Sequence, residues 1–211
     1  MKIALIGGSG NVGSNILEEA LERGHEVVAL ARDLSRITKT HNNLKVVQGD
    51  VLNEESLEEA IEGSDVVISA FGPKVGEEET LLKATSSLIN AVNKTKIPRI
   101  ISMGGAGSLK LPSGERVLDS EGFQEAWKPI AIAHSKALDL YKAEKEIKWT
   151  NLSPAALIEP GEKTGKYRVD EENLILDDSG ASRISYKDYA LAIIDEVENP
   201  KFINKRFTVA Y

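Results

Sequence analysis

Short, unbroken apolar runs alternate along this chain with longer stretches whose apolar residues recur every three or four positions. Ile3 to Ile6 is the first such run. It breaks at Gly7-Gly8-Ser9-Gly10 and passes at once into helical spacing, with Val12, Ile16, Leu17, Ala20 and Leu21 on one side. Gly24 and His25 stop that helix, and Glu26–Ala31 predicts a second buried strand. Asn43–Gln48 reads as a third, ending at Gly49-Asp50, with Leu57, Ala60 and Ile61 marking the helix after it. Val66–Ser69 is a fourth, closing on Ala70-Phe71-Gly72-Pro73, and a long helix from Glu77 to Asn93 turns Leu81, Leu88, Ile89 and Val92 inward. Pro98–Ser102, Lys148–Ser153 and Arg206–Ala210 supply three more strands. Ser185-Tyr-Lys-Asp188 has the form of a capping box opening a last helix, with Ala190, Ile193, Ile194 and Val197 as its buried stripe. Continuous apolar strands alternating with amphipathic helices predict an α/β fold, a doubly wound parallel sheet with helices on both faces and right-handed crossovers.

Two stretches depart from this alternation. Gly104 to Gly122 carries five glycines and one proline with little periodicity. It follows the fifth strand, at the carboxyl edge of the sheet where open α/β folds bind ligands, and so reads as a lid or mobile loop. The second, Ala155 to Arg183, has Pro160, Gly161, Gly165 and Gly180 around the short segments Tyr167–Val169 and Leu174–Leu176. It predicts a small substrate-side cap containing a hairpin (155–184) within a single domain spanning 1–211.

Composition narrows the function. With 211 residues and a net charge of −7, the chain is large enough for a substantial core and has no basic, aromatic-studded surface for nucleic acid. The absence of cysteine excludes disulfides, thiolate metal ligands and cysteine nucleophiles, and the three histidines, His25, His41 and His134, have no metal-ligand spacing. The opening apolar run is too short for a signal peptide or membrane span, so a cytoplasmic protein is expected, with no metal, nucleic-acid or membrane partner.

The glycine turn carries the clearest chemistry. A strand entering a helix through such a turn leaves backbone N–H groups pointing outward at the positive helix end, a site suited to a pyrophosphate. Gly7 or Gly8 would make the tight turn, Gly10 would let the phosphate approach the backbone, and Gly13 would let the helix pack on the strand. The residue ending the second strand separates cofactors. A carboxylate there accepts from the ribose hydroxyls of NAD, and an arginine pairs with the extra phosphate of NADP. Here the order is Leu30-Ala31-Arg32-Asp33. Arg32 comes first and is assigned to the 2′-phosphate, where a charge-assisted hydrogen bond contributes about 1.5–3 kcal/mol, or roughly 10- to 150-fold in affinity. Asp33 reads either as a ribose ligand or, preferentially, as the N-cap of a short helix at Leu34-Ser35-Arg36. Arg36 is either a second cation or a solvated one. The expected cofactor is NADP(H), with NAD(H) as the alternative.

The chain resembles the atypical short-chain dehydrogenase/reductases with an NAD(P)H-binding Rossmann-like domain, the NmrA-like and biliverdin-reductase-B-like group, and within it the bacterial set described as candidate NADH-flavin reductases. The segments carrying the likeness are Lys2-Ile-Ala-Leu-Ile-Gly-Gly-Ser-Gly-Asn-Val-Gly13, Gly49-Asp50-Val51, Ser102-Met-Gly-Gly-Ala-Gly107, Trp149-Thr-Asn-Leu-Ser-Pro154, Pro160-Gly-Glu-Lys-Thr-Gly-Lys-Tyr167 and Arg183-Ile-Ser-Tyr-Lys-Asp-Tyr-Ala190. The spacing Gly7-x-x-Gly10-x-x-Gly13 is that of the extended and atypical members, while Gly8-x-Gly10-x-x-Gly13 is the general dinucleotide fingerprint. The resemblance implies that Ser9, Asn11 and Val12 line the pyrophosphate and that Asp50 and Val51 flank the adenine. It puts Ala70, Phe71 and Gly72 along the ribose and nicotinamide side, and Pro154 near the nicotinamide.

Members of this superfamily normally use a Tyr-x-x-x-Lys pair, the tyrosine donating a proton and the lysine lowering its pKa. Tyr141-Lys-Ala-Glu-Lys145 has the spacing but falls at the far end of its helix, just before the sixth strand. Counting back from Trp149, the family lysine falls near Lys136, and Ile132 stands four residues earlier, where it cannot transfer a proton. Ser102, His134 and Lys136 remain as catalytic candidates, each with a plain structural alternative, and Glu159 and Tyr167 as pocket residues. A missing acid suits hydride transfer to a flavin, quinone or other conjugated small acceptor, in which the ring delocalises charge and solvent supplies the proton. The competing expectation is a nucleotide-sensing regulator with little turnover, acting through a protein partner. An isomerase or dehydratase is a third, disfavoured because it normally keeps the acid. Apolar residues on two sides of the 130–145 helix predict a homodimer contact or a covering lid, leaving monomer and homodimer open.

Overall fold

The computed structural model describes residues 1–211. Its chain order is β1 (Lys2–Ile6), α1 (Asn11–Glu22), β2 (Glu26–Ala31), β3 (Leu44–Gln48), α2 (Glu54–Ile61), β4 (Val66–Ser69), α3 (Glu79–Thr95), β5 (Arg99–Met103), α4 (Lys128–Ala143), β6 (Lys148–Ser153), β7 (Leu157–Glu159), β8 (Arg168–Asp170), β9 (Arg183–Ser185), α5 (Tyr186–Glu198) and β10 (Lys205–Ala210). Eight strands form one sheet in the order β3-β2-β1-β4-β5-β6-β10-β8, parallel except for β8, which runs antiparallel to β10. The order reverses between β2-β1 and β1-β4, as the doubly wound reading requires.

Alternation within each strand sorts the core into two layers. Ile3 and Leu5 of β1 face α1 and α5, together with Ile68, Ile101, Leu152 and Val209. Ala4 and Ile6 face the opposite way, with Val67, Ile100 and Trp149, against α2, α3 and α4. Local chemistry sets the helix ends. The Asn53 side chain accepts from the Ser56 N–H to start α2, and Lys96 takes a left-handed conformation (φ 56°) to end α3. Across the sheet, buried Arg99 of β5 pairs with buried Glu196 of α5, which also accepts the N–H groups of Lys201 and Phe202 at 2.9 and 3.0 Å. No helix is long and apolar enough to cross a membrane.

The two irregular stretches are more ordered than their composition predicts. Residues 104–122 form two single turns of 3-10 helix, and they carry a small core of their own, Leu109 and Val117 against Leu174, with Phe123 and Leu176 alongside. The expected hairpin in the cap is not formed. Its first half, β8, joins the main sheet, where Asp170, Val169 and Arg168 pair with Thr208, Val209 and Ala210. Leu174–Leu176 is not a strand; the Leu174 N–H donates instead to the Lys110 carbonyl at 2.8 Å, lacing the cap to the loop after β5. Each segment pairs with a distant partner in place of its neighbour. β7 and β9 make a separate two-stranded parallel pair.

The capping box at 185–188 is half formed, and the other half has a different task. Ser185 Oγ accepts the Asp188 N–H at 3.0 Å. The fully buried Asp188 carboxylate does not take the Ser185 N–H, which donates to the Tyr211 hydroxyl at 3.1 Å; it accepts from Thr164 N–H (3.1 Å) and hydroxyl (2.8 Å), Gly165 N–H (2.9 Å), Tyr211 hydroxyl (2.7 Å) and, more distantly, Ser185 hydroxyl (3.3 Å). Burial alone would raise its pKa, but the bonds from Tyr211, Gly165 and Thr164 outweigh it and hold the carboxyl below the usual range. A native pKa below the unfolded value contributes stability above about pH 4 that is lost as pH falls through the native pKa. Asp188→Asn, which faces amide hydrogens toward these donors, is expected to cost about 1–2 kcal/mol at pH 7. In urea melts the gap from the parent protein should narrow on acidification; a gap unchanged down to pH 3 would contradict the role given to the charge.

Candidate functional site

The turn from β1 into α1 is fixed by backbone sterics. Gly7 has φ +81°, and a Cβ there would lie 2.6 Å from the Ala70 carbonyl oxygen at the end of β4. A Cβ at Gly13 would lie 2.0 Å from the Gly7 carbonyl oxygen. At Gly10 it would meet only that oxygen, at 3.4 Å. The Gly10 N–H closes the turn onto the Gly7 carbonyl at 3.0 Å. Backbone contacts therefore demand glycine at positions 7 and 13, while Gly10 leaves the space above the turn open and Gly8 lies against the Leu5 side chain.

Beyond the turn, the N–H groups of Ser9, Asn11, Val12 and Gly13 have no acceptor in the protein. Gly10 supplies no capping side chain, and the first turn of α1 holds no carboxylate. Unpaired donors at the positive end of a helix, beside a glycine that leaves room above the backbone, suit a phosphate group.

A cavity of about 720 Å³ opens over this turn, at the carboxyl ends of β1 to β4 where the strand order reverses. Nine expected cofactor residues line it: Gly7, Ser9 and Gly10, then Arg32, then Asp50 and Val51, then Ala70, Phe71 and Gly72. Asn11, Val12 and Gly13 form the helix turn beneath, with Val12 packed into the core. Pro154 does not line the cavity; it is buried past the end of β6, its carbonyl accepting from Thr208 at 3.4 Å. Arg36 and Lys74 line the cavity as well. Arg36 was readable only as one of two alternatives, and a lone loop lysine such as Lys74 gives no signal in the sequence.

The charges of this cavity are unequally committed. Asp33 caps the turn Leu34–Arg36, accepting from the Ser35 N–H at 3.0 Å and hydroxyl at 2.7 Å, and these bonds hold its pKa down. Asp50 accepts the Leu52 N–H at 3.0 Å, and the Asp50 N–H donates to Ser56 Oγ at 3.1 Å. Arg32, Arg36 and Lys74 form no ion pair. An acidic chain thus presents three unpaired cations at one cavity, against two carboxylates already engaged.

The catalytic candidates lie elsewhere. Ser102 is buried in β5, its Oγ accepting from Asn151 Nδ2 at 2.8 Å. Lys136 is exposed on α4, in a separate groove with Leu82 and Leu140 that Glu54 of α2 also borders. His134 is half-buried under Gly105, where a Cβ would lie 2.8 Å from the His134 Cβ. Desolvation pulls the His134 pKa down to about 4, so the ring is neutral at pH 7 and is no imidazolium donor there. Its NMR resonances are expected to stay flat between pH 5.5 and 8; a titration step near 6.5 would overturn this. Tyr141 is buried and stacked on Trp149 with ring centres 6.2 Å apart, its pKa pushed up to about 12 by burial, while Lys145 lies past the end of α4. Ile132 is exposed on the same helix.

Comparison with known proteins agrees with this geometry. Residues 7–200 match the model of a family described as NAD(P)H-binding. The chain is 39% identical over 212 residues to the protein YwnB of Bacillus subtilis (strain 168), covering 99% of this chain and 98% of that one. Among solved structures it is similar to a candidate epimerase of Bacteroides thetaiotaomicron, with 43% identity and a TM-score of 0.94 over 100% of this chain and 96% of the other. It is also similar to a candidate NADH-flavin reductase of Streptococcus pneumoniae TIGR4, with 35% identity and a TM-score of 0.86 over 100% and 99%. Glycine turn, unpaired N–H groups, cationic cavity and family match converge: the chain belongs to the NAD(P)H-binding family and has its Rossmann-like fold.

Proposed function

We propose that this protein is an NADPH-dependent reductase that passes a hydride to a flavin-like, quinone or other conjugated small-molecule acceptor. The observation that carries the cofactor half is the pairing, in one cavity, of unbonded N–H groups at the start of α1 with unpaired guanidinium groups on its β2 side. The first would hold the diphosphate bridge. Arg32, with Arg36 beside it, would hold the 2′-phosphate that distinguishes NADPH from NADH. Asp50 and Val51 would border the adenine, and Ala70, Phe71 and Gly72 the sugar on the nicotinamide side. The chemistry supplied by the bound nucleotide is hydride donation; the chain's task is to align and desolvate the two rings.

The acceptor half rests on what the catalytic candidates of α4 lack. Ile132 offers no proton, Tyr141 is sealed in the core, and His134 is neutral. A conjugated acceptor tolerates this, because the added charge spreads over the ring and solvent protonates it. The lack of a positioned acid also weighs against an epimerase that needs one. The streptococcal relative's name points to the same class of acceptor. Turnover that consumes NADPH favours the cytoplasm, where the reduced nucleotide is regenerated.

One observation favours the sensing alternative. The carboxyl ends of β5 and β6, where an acceptor would lie, are tightly filled, with Ser102 and Ser153 buried and Gly104 and Gly105 pressed onto Asn151 and His134. The experiment that decides is NADPH oxidation by purified protein offered FMN, riboflavin and quinones. Turnover on at least one is expected, and tight NADPH binding with none would transfer the reading to a regulator.

A further inference from the structure

Lys74 is the cavity cation that the assignment of Arg32 and Arg36 leaves without a task. It follows β4 by five residues and opens the reverse turn Lys74–Glu77, closed by the Glu77 N–H on the Lys74 carbonyl at 2.9 Å. Acidic residues follow it closely, yet none pairs with it. The Glu78 carboxylate is occupied by the Gly76 N–H at 2.8 Å, and the Lys74 ammonium has no hydrogen bond or ion pair in the protein. The side chain is exposed and lines the same cavity as the glycine turn.

Sheet order tells which part of a ligand it would meet. β1 lies between β2 and β4, so the turn after β1 has the loop bearing Arg32 and Arg36 on one side and the loop bearing Lys74 on the other. The approach on the β4 side is close, as the 2.6 Å separation between a Cβ at Gly7 and the Ala70 carbonyl oxygen records. A 2′-phosphate held by Arg32 lies on the far flank. The diphosphate bridge, held over the middle by the N–H groups of α1, is the anion within the β4 flank.

We propose that Lys74 is a positioning residue for the nucleotide's diphosphate bridge, clamping it against the glycine turn from the side opposite the arginines, without regard to the 2′-phosphate. This rests on the nucleotide-binding reading of the cavity. Because Lys74 would meet an anion common to NADPH and NADH, it should govern affinity for both alike, whereas Arg32 governs the choice between them.

The test is titration of the unaltered protein, Lys74→Gln and Lys74→Arg with NADPH and with NADH, at low and high salt. Lys74→Gln is expected to weaken both by the same factor, about tenfold at low salt. The deficit should shrink at high salt, as screening predicts for an exposed ammonium. Lys74→Arg should keep most of the affinity. Melting without nucleotide should stay unchanged in both variants, since the side chain has no partner in the chain. Unchanged affinity in Lys74→Gln overturns the proposal, as does a loss confined to NADPH, which would move Lys74 to the 2′-phosphate. Failure of the unaltered protein to bind either nucleotide would instead remove the reading of the cavity, and the proposal with it.

Discussion

Alanine at Gly13 is expected to damage the fold and the nucleotide site together. A methyl there would stand 2.0 Å from the Gly7 carbonyl oxygen, a backbone atom with no rotamer to escape through. Either α1 moves off β1 or the turn opens. Overpacking of this kind costs about 3 kcal/mol or more, which in a chain of this size lowers the melting temperature by roughly 6–12 °C. The same displacement would misaim the N–H groups of Asn11 and Val12, so NADPH binding should fall below detection. Gly10→Ala is the control. Its methyl would meet only the Gly7 oxygen at 3.4 Å and otherwise occupy the space above the backbone. It should therefore melt close to the parent yet lose nucleotide binding. Equal melting of the parent and Gly13→Ala would show that the turn is not built as described.

Charge reversal at Arg32 is expected to invert the choice of nucleotide while sparing the fold. Arg32 is exposed and forms no ion pair, and its only recorded bond is through its carbonyl, which accepts from Gln48 Nε2 at 3.4 Å. Arg32→Glu would therefore leave stability nearly unchanged. In the bound state it would replace a charge-assisted hydrogen bond by repulsion of the 2′-phosphate. The loss for NADPH should reach about 100-fold, near the upper end for such a bond. NADH, which offers ribose hydroxyls there, should change by no more than about threefold, and a new carboxylate can accept from them. Fluorescence titration of both nucleotides measures the ratio. An equal loss of both would refute the assignment of Arg32, and Arg36→Glu would then be the next variant to measure.

Both experiments concern the part of the molecule the sequence describes best, and the reason is physical. A β1-α1 turn is local: strand, glycines and helix are adjacent in the chain, and the clash that demands Gly13 is with Gly7, six residues before it. β2 and β4 are equally readable, because strands buried on both faces leave unbroken apolar runs. The choice between the Gly7 and Gly8 registers needed the structure, since it depends on the Ala70 carbonyl, more than sixty residues away. The cap was misread for the same kind of reason. Tyr167–Val169 and Leu174–Leu176 are close in sequence and suitably apolar, but β8 pairs with β10 and Leu174 bonds to Lys110. Apolar alternation says that a segment pairs, not with what. Residues 104–122 looked structureless because 3-10 turns have no long period and their core is shared with Leu174. Asp188 is the instructive case. Its position in the capping box was legible, while its service to Thr164, Gly165 and Tyr211 was hidden in contacts that only folding creates.

The margins of the sheet have a consequence for how the protein behaves when crowded. β8, at one end, is only three residues long and turns against its neighbour, with Arg168 and Asp170 flanking a single valine. β3, at the other end, sets Lys45 and Gln48 toward solvent. Short, charged borders are poor templates for strand-by-strand growth between molecules. Concentrated solutions should accordingly stay clear of fibrous precipitate, with no thioflavin-positive material forming while the fold is intact.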